Sequence, residues 1–373
     1  MAETGGRIDP LRGLLGVVLG LALVALVGMF LVIGKSLILP IVVAVISVYV
    51  LIAASDAVGR LPGCRHLPEW LRRAIVLVLF LLAMMWLGGV MVSTAEQIRP
   101  RLPEYQGNIT TLAGDLTRLL GFEKLPDWRK IWSDAVGPIR IQQVAGAILG
   151  SISAGAGLIF MVVVYAAFLM GERGGFAHKI AVALPGESGA QTSRIVAEIN
   201  RAISQYLAVK TLVNVILGVI SYAVMWFFGV DFALFWAVLI GLLNYIPYVG
   251  SFLGVMFPVV LSMAQFGSIQ KTLVIALLLT GAQMWVGNAL EPRMVGRRVN
   301  MSPFVVLVAL AVWSAVWGVA GAILAIPLTS IIAIVMGSFV STRPFAVLLA
   351  EDVSVYETAP ETAPETAPNS APS

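Results

Sequence analysis

"FALFWAVLIGLLNYIPYVGSFLGVMFPVVLSMAQF", Phe232 to Phe266, contains no Asp, Glu, Lys or Arg, yet its centre holds Asn244, Tyr245, Pro247, Tyr248, Gly250 and Ser251. As one straight helix at about 1.5 Å per residue it would be about 50 Å long, well beyond a hydrocarbon core about 30 Å thick. The polar, turn-forming centre offers a place to fold back. Two arms then result, Phe232 to near Ile246 and near Gly250 to Phe266, each roughly 22 to 25 Å long and able to pass the bilayer midplane without crossing.

The rest of the chain supports a membrane setting. Of its 373 residues 59% are hydrophobic and 12% charged, where soluble domains are about a quarter charged. Peptide groups in lipid must be paired within the protein, so spans are helices or closed barrels. The uncharged runs here are too long and continuous for barrel strands, which makes the expected fold an all-α, polytopic membrane protein. The net charge of +4 comes from Lys and Arg in short loops, where it reads as an orientation signal and not as a nucleic-acid footprint. A lone Cys64 and two distant histidines, His66 and His178, give no disulfide and no metal-ligand spacing. Gly34, Lys35 and Ser36 resemble the end of a phosphate-binding loop, but Gly28 and Gly34 are separated by five residues where the motif needs four. Neither a catalytic constellation nor a cofactor site is evident, so no enzymatic activity is expected.

Spans are expected at 14–33, 37–54 with Pro40 in its first turn, 74–93, 144–170, 207–228 and 272–290. The first is a retained signal anchor, too long for a signal-peptide core. Residues 96–143 form a polar, extracytoplasmic segment with Trp128 and Trp132, where Leu112, Leu116, Leu119 and Leu120 suggest short amphipathic helices on the outer face. "GAILG", Gly146 to Gly150, is a small-residue pattern suited to close helix contact. Residues 172–205 read as an amphipathic helix on the cytoplasmic surface. The tail 351–373, with three copies of ETAP, reads as disordered.

Charge tests the hairpin independently. "EPRMVGRR" gathers Arg293, Arg297 and Arg298 into one short segment, which the positive-inside rule places in the cytoplasm along with both termini. A single crossing by 232–266 would send those arginines outside; a hairpin returns them inside. The final run, 299–342, is also too long for one span. "WGVAG", Trp317 to Gly321, supplies a break and Pro327 a second interruption, giving another hairpin over 303–340 that enters from the cytoplasm. In secondary transporters, interrupted helices of this kind mark the binding site.

"LLNYIPYVGS", "NALEPRMVGRRVNMSP" and "WGVAGAILAIPL", in this order and spacing, resemble the signature segments of the autoinducer-2 exporter family of bacterial inner-membrane proteins. The resemblance runs from about Leu14 to Leu349. It implies homopentamers whose protomers carry two helical hairpins and move substrate by an elevator-like motion. It also implies export of the quorum-sensing signal autoinducer-2, or exchange of sodium or lithium against protons.

The candidate substrate-binding residues are Asn244, Tyr245, Pro247, Tyr248, Gly250 and Ser251 at the first tip, Asn288 and Glu291 on the span between hairpins, and Trp317, Gly318 and Gly321 at the second tip. The first group could line a path for a small polar solute, or could complete the broken helix ends. Trp317 could stack on substrate or pack. Gln283 and Asn288 lie about 140° apart on an ideal helix, which excludes both from one narrow site; Asn288 is preferred. Glu291 could relay protons at membrane depth or pair at the interface beside Arg293, with Pro292 ending the helix. The expected function is a secondary transporter or facilitator exporting small polar metabolites. The alternatives are a sodium/proton antiporter and a non-transporting envelope scaffold that recruits partners through residues 96–140.

Overall fold

The computed structural model describes residues 10–60, 62, 65–120, 157, 160–171, 179, 182–183, 186–295 and 300–357. The Gly146–Gly150 pattern, Trp128, Trp132, Cys64, His178, Arg297, Arg298 and residues 358–373 of the tail lie outside them. Residues 351–357, expected to be disordered with that tail, are instead folded: Ser354–Glu357 is helical, Asn300 donates to the Asp352 carbonyl and Arg343 to the Tyr356 carbonyl. All regular elements among the described residues are helical: α1 Pro10–Ile33, α2 Lys35–Gly59, α3 Glu69–Leu120, α4 Phe160–Gly171, α5 Glu187–Phe228, α6 Ala233–Leu243, α7 Val249–Phe266, α8 Ile269–Trp285, α9 Pro303–Trp317, α10 Val319–Gly337, α11 Arg343–Leu349 and α12 Ser354–Glu357. Seven stretches among them are long and apolar enough to cross a bilayer, which makes the chain an all-α, multi-pass membrane protein.

The quoted run folds as two antiparallel arms, α6 and α7, and the final run as α9 and α10. In both, a glycine just after the turn lets the arms touch. A Cβ on Gly250 would lie 1.7 Å from the Leu243 carbonyl oxygen, and one on Gly321 1.9 Å from that of Trp313. The second turn is made by Gly318, at φ 65° and ψ −140°, a conformation open to glycine.

The long helix α5 is the mast against which the rest is built, touching α2, α6, α8 and α10. Its Val213, Leu217 and Met225 are fully buried with Ala237 and Ile240 of α6 and Ile275 and Leu279 of α8. Lower on the same helix, Ile203, Tyr206 and Leu207 pack with Leu39 and Ile46 of α2 and with Trp317 and Leu324 of the second hairpin. The hairpins meet directly, since Ile246 at the first tip is buried among Ala309, Leu310, Ala322 and Ala325 of the second.

Four further expectations need correction. Over 96–120, the described part of that segment, there are no separate short surface helices; α3 continues unbroken for 52 residues, through Pro100 and Pro103. The carbonyls of Glu96 and Arg99, which those prolines cannot serve, flank the end of the apolar stretch at Ile98, where water can reach them. Residues 187–205 likewise continue into the fifth span as part of one 42-residue helix. Helix α2 starts at Lys35, so Pro40 sits beyond its first turn. Pro327 does not interrupt α10; it is fully buried against neighbouring helices, which hold the helix together across one lost hydrogen bond, as they do at Pro258 in α7.

Substituting Gly250 or Gly321 by Ala is expected to destabilise the protein by about 1–3 kcal/mol or more, because backbone must move. Gly281→Ala, on open helix surface, should be neutral or stabilising. Thermal unfolding in detergent distinguishes them, and equal midpoints for all three variants would contradict the close approach.

Candidate functional site

At the first tip the backbone satisfies much of itself. After Asn244 ends α6, Tyr245 and Ile246 donate to Leu242 and Leu243 in tightened turns, and Gly250 donates back to Ile246. The Val249 N–H then donates to the Pro247 carbonyl at 2.6 Å, closing a γ-turn around Tyr248 at φ 60° and ψ −56°. This hand of γ-turn is strained for a residue with a side chain. The strain turns the Tyr248 ring outward, more than half exposed, into a cavity.

Beneath the turn lies a polar cluster. Asn244, 4% exposed, donates to Asn214 Oδ1 of α5 at 2.8 Å and accepts from Ser251 Oγ at 3.2 Å and Gln283 Nε2 at 2.7 Å. The Gln283 amide also donates to Ser251 at 2.7 Å, while its buried Oε1 has no partner. One asparagine thus joins the tip to both α5 and α8.

The cavity, about 880 Å³, opens between this tip, α5, α8 and the second hairpin, which contributes Val306 and Ile326. Asn244, Pro247, Tyr248, Ser251, Asn288 and Glu291 line it, as do Gln283, Thr280, Tyr206 and Lys210. Both Gln283 and Asn288 face it, against expectation, because α8 widens into a π turn over Val286–Leu290, which rotates each residue less than an α turn. Pro292 does not end the helix, which continues over Glu291–Val295. The wide turn and the proline go together, since Pro292 has no N–H to return to the preceding turn.

At the charged end of the cavity Glu291 is an expected site residue and Lys210 is not. Glu291 Oε1 is 2.6 Å from Lys210 Nζ on α5, so Lys210 and not the adjacent Arg293 is its partner. Lys210 is 5% exposed. The signal was available: a single Lys inside the apolar stretch 207–228 requires a partner at membrane depth.

The other candidates lie elsewhere. Tyr245 turns away from the cavity to Thr211, at 2.7 Å; Thr211 donates its own proton to the Leu207 carbonyl, so the phenol is the donor. Gly250 and Gly321 sit at arm contacts. Trp317 is buried, stacks at a tilt near Trp313 and donates to the Leu31 carbonyl at 3.1 Å; neither it nor Gly318 is among the lining residues.

The base of the first hairpin is clasped by the extension of α3. Tyr105 donates to Asp231 at 2.7 Å, Arg101 lies 3.4 Å from the same carboxylate, and Asn108 donates to the Gln265 carbonyl at 2.6 Å. Burial, and then the Asp231 hydrogen bond, push the Tyr105 phenol well above its ordinary range, so it keeps its proton and its role as donor.

A polar cavity walled by the turn of a broken helix can now be set beside known proteins. Residues 19–341 match the model of the AI-2E family transporter. The chain belongs to this family of membrane transporters. It is 30% identical over 278 residues to the putative transport protein YhhT of Escherichia coli, covering 74% of this chain and 78% of that one. A putative transport protein of Haemophilus influenzae is 27% identical over 310 residues, 82% and 88% of the two chains. The AI-2 transport protein TqsA of Escherichia coli is 28% identical over 347 residues, 89% and 96%.

Two substitutions separate the roles of the tip in this family member. Tyr248→Gly relieves the strained turn and is expected to leave the unfolding midpoint unchanged or raise it. Asn244→Ala, which strands the buried Asn214 and Gln283 groups, is expected to cost about 1–3 kcal/mol. A larger loss from Tyr248→Gly than from Asn244→Ala, measured by thermal unfolding, would reverse these assignments.

Proposed function

We propose that this protein is a secondary transporter or facilitator that exports small polar solutes across the bacterial inner membrane, with the cavity beside the first tip as its solute site. The observation that carries the reading is a wall of neutral hydrogen-bonding side chains, Tyr248, Ser251, Thr280, Gln283 and Asn288, set at the break of an otherwise apolar segment. Such groups suit hydroxyls and carbonyls of an uncharged metabolite. Autoinducer-2, named for the TqsA relative, is the candidate solute, with quorum sensing as its context. Transport proceeds by an elevator-like movement of the two hairpins within a homopentamer, and both termini lie in the cytoplasm.

The sodium or lithium/proton antiporter would use Glu291, which reaches the cavity with Lys210 already opposite it. That neutralisation favours the uncharged solute. Membership of a transporter family gives the envelope-scaffold reading no support.

Proteoliposomes loaded with autoinducer-2 or with small polyols test the proposal. Asn288→Ala and Tyr248→Phe are each expected to lower initial efflux by about tenfold, the loss of one hydrogen bond. Tyr222→Phe, which lines a separate groove, should not. Equal rates in all four proteins would remove the cavity from the transport path.

A further inference from the structure

Two full charges stand in the wall of this cavity, and the export of an uncharged solute uses neither. Lys210 and Glu291 are the only charged side chains among its described lining residues. Lys210 is nearly fully buried on α5, and its Nζ is 2.6 Å from Glu291 Oε1, whose side chain is 26% exposed toward the cavity. A buried ion pair is no better for stability than apolar residues of similar size, whereas removal of one member leaves an uncompensated charge. Its retention in the wall therefore points to a task.

The surroundings of Glu291 are rich in acceptors. Pro292 offers no N–H, so the carbonyl that an N–H there would have met, of Gly287 in the π register or Asn288 in the α register, has lost that partner. Both residues line the cavity with Glu291. The titratable neighbour on α5 is Tyr206, in the same wall, while Tyr245 is engaged with Thr211 and Arg293 lies two residues along from Glu291. A carboxylate, a released carbonyl and the Asn288 amide oxygen make a set of hard oxygen ligands, the type that holds small cations. At the carboxylate of this set stands the Lys210 ammonium, 2.6 Å from Glu291 Oε1.

We propose that Lys210 is the tethered cation of an oxygen-lined site centred on Glu291, a specificity-determining residue that excludes free monovalent cations and keeps the cavity neutral. The inference rests on the solute-site reading for its consequence in transport. Its test does not, because it reads ion binding to protein in detergent.

Radioactive sodium is bound to purified protein at constant ionic strength, balanced with N-methylglucamine chloride, and folding is followed by size-exclusion elution. Wild type is expected to bind no saturable sodium. Lys210→Gln and Lys210→Met are expected to bind sodium saturably, at about tenfold or more above the wild-type background, because the carboxylate is left unopposed. Lys210→Met combined with Glu291→Gln should return to the wild-type level. Glu291→Gln alone, with the ammonium unopposed, should instead bind radioactive chloride. Saturable sodium binding by wild type overturns the inference and leaves export untouched. So does a folded Lys210 variant that binds no sodium. If both Lys210 variants aggregate, Glu291→Gln decides, with no chloride binding as the contrary result. Loss of all three single variants beside an intact double variant also overturns it, since no small ion then replaces the missing charge.

Discussion

A bilayer core has no water to satisfy a peptide group, so a helix broken at that depth must be completed by protein. The chain breaks two helices, and most of the site follows from how the breaks are completed. At the second, a glycine turn and a buried tryptophan whose N–H caps a carbonyl near the end of α1 make a closed, apolar tip. At the first, tightened turns satisfy the backbone, and the remaining curvature is forced on Tyr248. Asn244 then links the turn to α5 and α8 through side chains alone. The polar groups that complete this break are the ones that face the cavity. Completing the helix ends and lining the cavity are thus one arrangement seen from two sides.

The first hairpin is held at both ends. Its base is clasped by Tyr105 and Asn108 of α3, outside the apolar span, and its tip is seated by Ile246 in the surface of the second hairpin. Movement of one hairpin therefore bears on the other and on α3. The Lys210–Glu291 pair adds a tie between the mast α5 and the helix joining the hairpins.

The hairpins could be read from length and charge because both arguments are insensitive to detail. The expected arms, ending near Ile246 and restarting near Gly250, differ from α6 and α7 by only a few residues. The site was less legible wherever local geometry departed from an ideal helix. Ideal α spacing excludes Gln283 from the site, whereas the π turn over Val286–Leu290, just before Pro292, lets it share the cavity with Asn288. Proline is a weaker breaker than expected at 292 and 327: burial among helices supports α10 across Pro327, and at exposed Pro292 the preceding π turn accommodates the missing N–H. Lys210 is hard to see in the sequence because the run 207–228 is otherwise uncharged and its partner, Glu291, lies 81 residues away. Tyr245 and Tyr248, three residues apart, could not be told apart by pattern; the γ-turn between Pro247 and Val249 sends them to opposite sides.

The central claim is that the cavity at the first tip is the place where solute passes from one side of the membrane to the other. With the native Cys64 replaced by Ser, a single Asn288→Cys substitution can be challenged with a membrane-impermeant thiol reagent, in right-side-out and in inverted vesicles. The account predicts modification from both sides, slowed in each case by the transported solute. Modification from one side only, at a rate indifferent to solute, would contradict it.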